Sequence, residues 1–430
     1  MDSGWAWIVC LGSFIAFLLE TGMVKALGLL LPVLQDQFGT NTWVIGLIIS
    51  LVPGFGAISC IFGGSLSKLL SPRISMMAYG LLSSIGLIVA SAAGSIPILI
   101  LAVLLTGFSL GAEAINIAAL PFYFDKFYDL ANGLSHAGLS IGLMIIPPLT
   151  QLLLDIYGWR GTLLILGGLN SHLVVCGALL RPIELTDTDK SINSLATKNT
   201  LSASTELTNK FETIIQLMDL ELFINFRFVC LLCISTAGGY HYTGWVIYFV
   251  PHCQNLGFLP FDSAFLATMG GVGNLAGAIT FPVAAKYLSG KAILYIAALI
   301  TTLAFAADPV MSMSHSYFGI MGSSFGVNFG FAVTFCCLYK ELIDVVDDKK
   351  LSNAVSWLFV GYSMGAISSG FLSGWLYERF GNYTTSFLFL SVVSTLSITP
   401  WLVSDFKKTI TKYHHQDYAM IHNTDTEINE

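Results

Sequence analysis

Charge is what this chain has least of. Asp, Glu, Lys and Arg supply 10% of its 430 residues, against roughly 25% in soluble domains, while hydrophobic residues supply 55% and the mean hydropathy is +0.75. So little charge cannot cover a water-facing surface, which excludes an ordinary soluble enzyme or binding domain and points to a polytopic membrane protein. No run of Lys and Arg forms a basic block, so nucleic acid is not an expected partner; the net charge of -7 is confined to loops and tails. No cleavable leader is expected either. Met1 and Asp2 run directly into an apolar stretch with no basic flank or small-residue cleavage site, so the first span is expected to stay as an anchor. The eight cysteines lie almost entirely in apolar segments, where a buried thiol is the ordinary state, and the Cys230, Cys233 spacing falls inside one such segment. Glu113, His172 and His241 form no HExxH or paired-carboxylate spacing, so neither an enzyme nor a cofactor or metal is expected.

Long apolar runs are what the chain has instead. A bilayer core needs about 20 apolar residues per helix, and twelve segments meet this, at about 5–31, 43–66, 74–93, 98–122, 130–154, 160–180, 227–252, 263–285, 292–308, 317–339, 352–375 and 385–404. The fold class expected is therefore all-α, with two six-helix halves. Residues 1–182 form the N-terminal bundle, 183–225 a linker rich in Ser, Thr, Asn and Asp, 226–404 the C-terminal bundle and 405–430 a charged tail. Toward the end of the linker, Leu207, Phe211, Ile214, Ile215, Met218 and Leu222 recur at helical spacing against Glu206, Lys210, Glu212, Asp219 and Glu221. That pattern predicts an amphipathic helix, lying on the membrane or packed against the bundle.

Basic residues orient the spans. Lys68, Arg73, Lys126, Arg181, Lys190, Lys198, Lys210, Lys286, Lys291, Lys340, Lys349, Lys350, Lys407, Lys408 and Lys412 fall on one side of the twelve-helix arrangement, with Arg160 and Arg379 in connections on the other. The positive-inside rule puts the first side, and both termini, in the cytoplasm, and the plasma membrane is the expected location. The sequon at Asn382, Tyr383 and Thr384 then lies outside, in a turn too short and too close to the bilayer to be expected to carry a glycan. The halves echo each other: LeuAlaAsnGly at 130–133 precedes the fifth span, and LeuSerAsnAla at 351–354 the eleventh. Gly158, Trp159 and Arg160 precede the sixth, and Gly381, Asn382 and Tyr383 the twelfth. Related halves about a midplane site are how many transporters are built.

Lys25 sits far inside the first apolar run. A charge there costs several kcal/mol on most scales and is usually retained facing a cavity, a partner or a substrate, so Lys25 is the first candidate binding residue.

Three further segments carry a family resemblance. Asp2, Gly4, Trp5 and Trp7 open the first span; Tyr123, Phe124, Asp125 and Lys126 precede LeuAlaAsnGlyLeu at 130–134, which contains Asn132 and Gly133, with Ala137, Gly138 and Gly142 following. Trp159, Arg160 and Gly161 precede a Gly-rich sixth span that ends in Arg181 and Pro182. This set resembles the signatures of the monocarboxylate transporter family (solute carrier family 16) of the major facilitator superfamily, well in the N-terminal half and loosely in the C-terminal half. The resemblance implies twelve helices, with the first, fourth, seventh and tenth lining a cavity that opens alternately to each side. It implies a small organic carboxylate or related zwitterion as substrate, and a single-span immunoglobulin-type glycoprotein as a possible accessory partner beside the lipid bilayer.

Residues place themselves on that frame. Lys25 matches, counted from the tryptophans, the family's carboxylate-contacting lysine; the alternative is a structural ion pair with Glu113, or less readily with Glu20, which lies about 140° around the helix. Glu113, about 14 Å from the linker end of the fourth span, is a candidate for a proton, for a cationic part of the substrate or for a helix-to-helix hydrogen bond, and Asn116 follows it on the same span. His241, between Tyr240 and Tyr242, is either a site residue or part of an aromatic cluster. Asn274 in the eighth span and Asn328 in the tenth lie near mid-depth, and Phe331 and Phe335 continue the face of Asn328, which suits a small solute with a polar head and an apolar body. His136 and His172 fall in the fifth and sixth spans, with His172 read as packing. Asn274 and Ala278 stand where proton-coupled relatives carry an aspartate and an arginine, and Phe127 and Tyr128 replace two expected basic residues. Coupling of transport to protons is therefore expected to be weak. The alternatives are proton symport through Glu113 and a transporter-like receptor or scaffold that binds without translocating.

Overall fold

In hydrocarbon every backbone N–H and C=O must be bonded within the segment, which leaves apolar runs of this length one option, the α-helix. The computed structural model describes residues 4–181, 219–346, 350–397 and 399, and each expected span is helical over these residues. Asp2, the linker up to Met218, the tail 405–430 and the side chain of Glu113 lie outside the described residues.

The first span is Gly4–Leu29, prolonged by a second helix, Leu31–Phe38. The second is Thr42–Leu70 and the third Pro72–Ser91, while the fourth comes in two pieces, Ile96–Gly107 and Leu110–Ala119. The fifth and sixth occupy Tyr128–Asn170, broken where Gly158 takes φ 64 and ψ 177, and the sixth finishes as His172–Leu179. The second half holds Phe226–Asn255, Pro260–Tyr287, Gly290–Met313, Tyr317–Val345, Leu351–Phe380 and Thr384–Ser397. Several starts are written locally. Pro72, Pro97 and Pro260 occupy first-turn positions, where a missing N–H costs nothing. The side chains of Asn225, Ser289 and Ser316 accept from Arg227, Ala292 and Gly319 backbone N–H groups and so cap the seventh, ninth and tenth spans.

The repeat seen in the sequence is physical. Gly158 and Gly381 both take the left-handed region, at φ 64 and φ 73, in the turns before the sixth and twelfth spans. The fifth span lies on the first through Gly138 and Gly142, where a Cβ would run into the Phe14 and Leu18 backbones. The eleventh lies on the seventh through Gly361 and Gly365, against Leu232 and Thr236. A glycine every four residues lets helix backbones approach closely where lipid supplies no hydrophobic drive for association.

Of the expected amphipathic helix, residues 207–218 lie outside the described residues. From Asp219 the chain forms a short turn, Leu220–Ile224, that packs on the C-terminal bundle: Leu222 is buried and Phe223 meets Phe228 and Trp357 edge-on. Lys350 pairs with Glu221 at 2.7 Å and Asn353 donates to Asp219 at 2.7 Å.

The halves meet first span to seventh, second to eleventh and fifth to eighth. Their closest approaches lie between mid-depth and the end away from the linker, here termed the far end. Gly46 of the second span is crowded by the Tyr248 hydroxyl and the Gly370 carbonyl, Trp43 packs on Phe371, and Gly28 lies against Val246 and Ile247. Nearer mid-depth Ser363 donates to Pro53 O at 2.8 Å, Thr268 to Met144 O at 3.1 Å and Ser140 to Asn274 Oδ1 at 2.8 Å.

Candidate functional site

Lys25 lies at the far-end seam between the halves and is completely buried. Its ammonium donates to the carbonyls of Trp245 and Val246 at 3.2 and 3.0 Å, and sits over the Trp245 ring at 3.7 Å and the Phe249 ring at 5.5 Å. Two carbonyl dipoles and a desolvated cation–π contact, the latter on the order of 2 kcal/mol, offset the cost of burying the charge. The seventh-span carbonyls are free to accept because an i+4 hydrogen bond uses only one of each oxygen's two lone pairs.

From Trp245 an aromatic ladder descends toward the linker end. Trp245 stacks with Tyr242 at 6.4 Å, Tyr242 with Phe331 at 3.9 Å, Phe331 with Phe335 at 5.8 Å, and Phe335 meets Tyr339 edge-on at 5.0 Å. Trp245 is fully buried, whereas Tyr242, Phe331, Phe335 and Tyr339 keep part of their surface open. Phe331 and Phe335 are the rings expected from the sequence; Tyr242, expected only as a neighbour of His241 in an aromatic cluster, and Trp245 join them in the structure. These two are one helical turn apart on the seventh span, and that spacing was the available signal.

The amides are less free than mid-depth placement suggested. Asn274 spends its Oδ1 on Ser140, across the seam between halves. Asn328 is wholly buried, donates to Ser324 O at 2.9 Å and keeps an Oδ1 with no hydrogen-bond partner among the described residues. It lies against Gly270 and the eighth span. Asn116, also buried, accepts from Ser13 at 3.4 Å, and its Nδ2 has no partner among the described residues. His241 turns into the C-terminal half. Its ring lies 6.1 Å from that of Phe305 and 6.0 Å from that of Phe331, and it borders a small internal cavity with Ile234, Thr301, Thr334 and Ser394. Glu20 is buried, within electrostatic reach of Cys176 of the sixth span. His136 stacks on buried Phe17 at 4.6 Å, and His172 is exposed on the sixth span, bonded to Leu169 O one turn back.

The signature residues fasten ends together. Trp5 donates to Leu179 O at 3.1 Å while Arg181 covers its ring at 4.1 Å, and the Tyr123 hydroxyl receives the Arg181 N–H at 2.8 Å. Trp7 meets Phe124 edge-on at 5.1 Å. The first, fourth and sixth spans are thus tied at the linker end; among the described residues nothing crowds Gly4 or Gly133, and Asn132 is half-buried. At the far end Trp159 donates to Gln37 at 3.3 Å, and Arg160 donates to Ser91 O and Ala93 O at 2.9 and 3.1 Å. Gly161 leaves room there for Tyr157. Cys230 is buried and Cys233 exposed.

One polar cluster escaped the sequence reading altogether. His252 of the seventh span lies 2.9 Å from Asp308 of the ninth, both buried. The ninth span was expected to end at Asp308; it continues to Met313, which puts the carboxylate inside the bundle.

Comparison with known proteins agrees with this architecture. The family model for the Major Facilitator Superfamily matches residues 9–350. The chain is 29% identical to Monocarboxylate transporter 13 of Rattus norvegicus, over 90% of this chain and 86% of that protein. It is 28% identical to Monocarboxylate transporter 12 of Xenopus laevis over the same shares, and 26% identical to Monocarboxylate transporter 4 of Gallus gallus over 93% and 81%. A POT family transporter solved with 5-aminolevulinic acid superposes with a TM-score of 0.70 over 94% of this chain and 96% of that one; at 13% identity the likeness is one of fold. The chain belongs to the Major Facilitator Superfamily, and over nine-tenths of its length it is similar to the monocarboxylate transporters of that superfamily.

Proposed function

We propose that the protein carries a small monocarboxylate or related organic solute across the plasma membrane by rocking its two halves about the seam at mid-depth. The observation that carries this reading is Lys25 standing at the head of the Trp245, Tyr242, Phe331, Phe335 ladder: a cation for a carboxylate head, and ring faces for an apolar body. In the arrangement described, Lys25 is occupied by the Trp245 and Val246 carbonyls, and the far end is shut. Separating the first span from the seventh frees the ammonium, and a carboxylate from the far side then takes the place of the two carbonyls. Reclosure returns Lys25 to the seventh span and leaves the solute on the ladder, facing the linker end. Lys25 thus has different partners in the two states, which is the differential interaction a conformational change requires.

The similarity to monocarboxylate transporters supports the substrate class. The one-sided basic residues support a cytoplasmic linker end, which makes the far end extracellular. The immunoglobulin-type accessory partner rests on the family resemblance. With Asn274 and Ala278 in the eighth span, that span contributes no titrating pair to coupling.

The test is uptake of radiolabelled lactate, pyruvate, aromatic amino acids, creatine and carnitine into proteoliposomes. Saturable accumulation of one acid, lost in Lys25→Gln, is the expected result. Binding without accumulation would make the protein a receptor.

A further inference from the structure

The His252 and Asp308 pair has no part in the transport cycle just described, yet it is built as a site. His252 Nε2 lies 2.9 Å from Asp308 Oδ2, with the side chains 1% and 0% exposed. Ser312, one turn beyond Asp308, donates to Asp308 Oδ2 at 3.3 Å and lies 3.3 Å from His252 Nε2. The imidazole is stacked on Phe387 of the twelfth span at 4.6 Å, and Tyr383 closes its edge at 6.1 Å. His252 Nδ1 and Asp308 Oδ1 have no hydrogen-bond partner among the described residues. Two buried polar atoms without partners, in one cluster, cost stability unless the cluster does something else.

Its position says what it responds to. His252 is three residues from the end of the seventh span at Asn255, about 4.5 Å along the axis, so the far end is the nearer end of the bundle. It is also one to two turns beyond Trp245 and Val246, the groups that hold Lys25. Among the described residues, the titratable and charged neighbours are Cys253, within electrostatic reach of Asp308 and Lys25; Lys25 itself, from the first span; Tyr248, one turn back on the seventh and packed on Tyr383; Tyr317, opening the tenth, with Asp262 of the eighth beside it; Tyr383, before the twelfth; and Tyr377 and Glu378 of the eleventh, beside Tyr383. The Lys25 ammonium is committed to carbonyls and rings, so the nearest group able to supply a counter-charge to Asp308 is the His252 imidazole, 2.9 Å away. A carboxylate there without a counter-charge would be the most costly state of a buried pair.

We infer that His252, Asp308 and Ser312 form a proton-binding site at the far end of the C-terminal half, loaded from the far-side solution, whose occupancy favours the far-closed arrangement in which Lys25 is held. This rests on the alternating-access reading above. One proton is taken up, bound between His252 Nε2 and Asp308 Oδ2, with no change in covalent structure. The seventh span is then fixed to the ninth and twelfth, and its Trp245 and Val246 carbonyls are set for the first span to close on. Loss of the proton loosens that end and favours opening.

The test reads the gate and needs no substrate, so it stays separate from the uptake assay. Ser50 of the second span is buried at the far-end seam against Gly370. In full-length protein in liposomes, Ser50→Cys is labelled with a membrane-impermeant maleimide from the far side at about pH 6 and about pH 7.5. Rates are divided by those of Gly94→Cys, an exposed far-end position, to remove thiol chemistry. Relative labelling is expected to fall several-fold at the lower pH. That dependence should vanish in Asp308→Asn and in His252→Gln, persist in Glu113→Gln, and shift its midpoint in Ser312→Ala, which serves alone if the charge variants do not reach the membrane. A pH-independent parent, a dependence retained in Asp308→Asn, or an unmoved midpoint in Ser312→Ala would overturn the site. Absence of any uptake would overturn the transport reading and leave this labelling result standing on its own.

Discussion

Ser140 and Asn274, on different halves of the molecule, share a 2.8 Å hydrogen bond at mid-depth. Asn274 stands where proton-coupled relatives are expected to carry an aspartate, and here it joins the fifth span to the eighth. A bond between halves exists only while the halves are together on that face, so it biases the equilibrium between conformations. Removing it is expected to cost the far-closed state about 1 kcal/mol. Ser140→Ala and Asn274→Ala should each lower thermal stability, and the double variant should cost less than the sum. Strict additivity in a melting-temperature cycle would show that the two side chains act independently.

Gly46 offers a steric test of the far gate. A Cβ there would overlap the Tyr248 hydroxyl and lie 2.6 Å from Gly370 O. Gly46→Ala is expected to disfavour closure by about 1–3 kcal/mol, as overpacking does, and to reduce uptake roughly 5- to 150-fold at normal surface expression. Gly46→Ala combined with Tyr248→Phe should recover part of the loss, because the hydroxyl is the first atom met. No recovery would place the obstruction at the Gly370 backbone.

Lys25 separates charge from packing. Lys25→Met keeps a long apolar stem against Trp245 and Phe249 while removing the ammonium, so the far-closed protein should melt no lower than the parent, consistent with apolar replacement of buried charges. Uptake of an anionic substrate should nevertheless fall by at least about tenfold, the loss of one charge-assisted hydrogen bond. Normal uptake in Lys25→Met would reduce the lysine to a structural pin.

Topology can be read with tags. An epitope near Lys198 and another after Asp405 should be reached by antibody only in permeabilised cells. Asn382, whose Oδ1 accepts from the Thr385 N–H and whose Nδ2 donates to Phe380 O, is already used as a helix cap. Glycosidase treatment should therefore leave mobility unchanged, and a shift would mean that the cap opens.

The sequence by itself determined the number of spans, their order and the division into halves, because hydrocarbon permits helices alone and about 20 apolar residues cross it. It also marked Lys25, since a charge deep in such a run is conspicuous whatever surrounds it. Even the repeat was legible, in Gly158 and Gly381, because a left-handed turn demands glycine locally. What the tertiary structure decided is where each side chain faces. Helical depth is linear in sequence, but azimuth and partner depend on packing between distant segments. Lys25 meets carbonyls more than 200 residues away, His241 turns into its own half while neighbouring Tyr242 joins the ladder, and Asn274 bonds Ser140. The His252 and Asp308 pair shows the same limit most sharply. Each residue looks like the polar end of a span until the ninth helix runs one turn further than its apolar pattern, and the two ends come together in the buried interior.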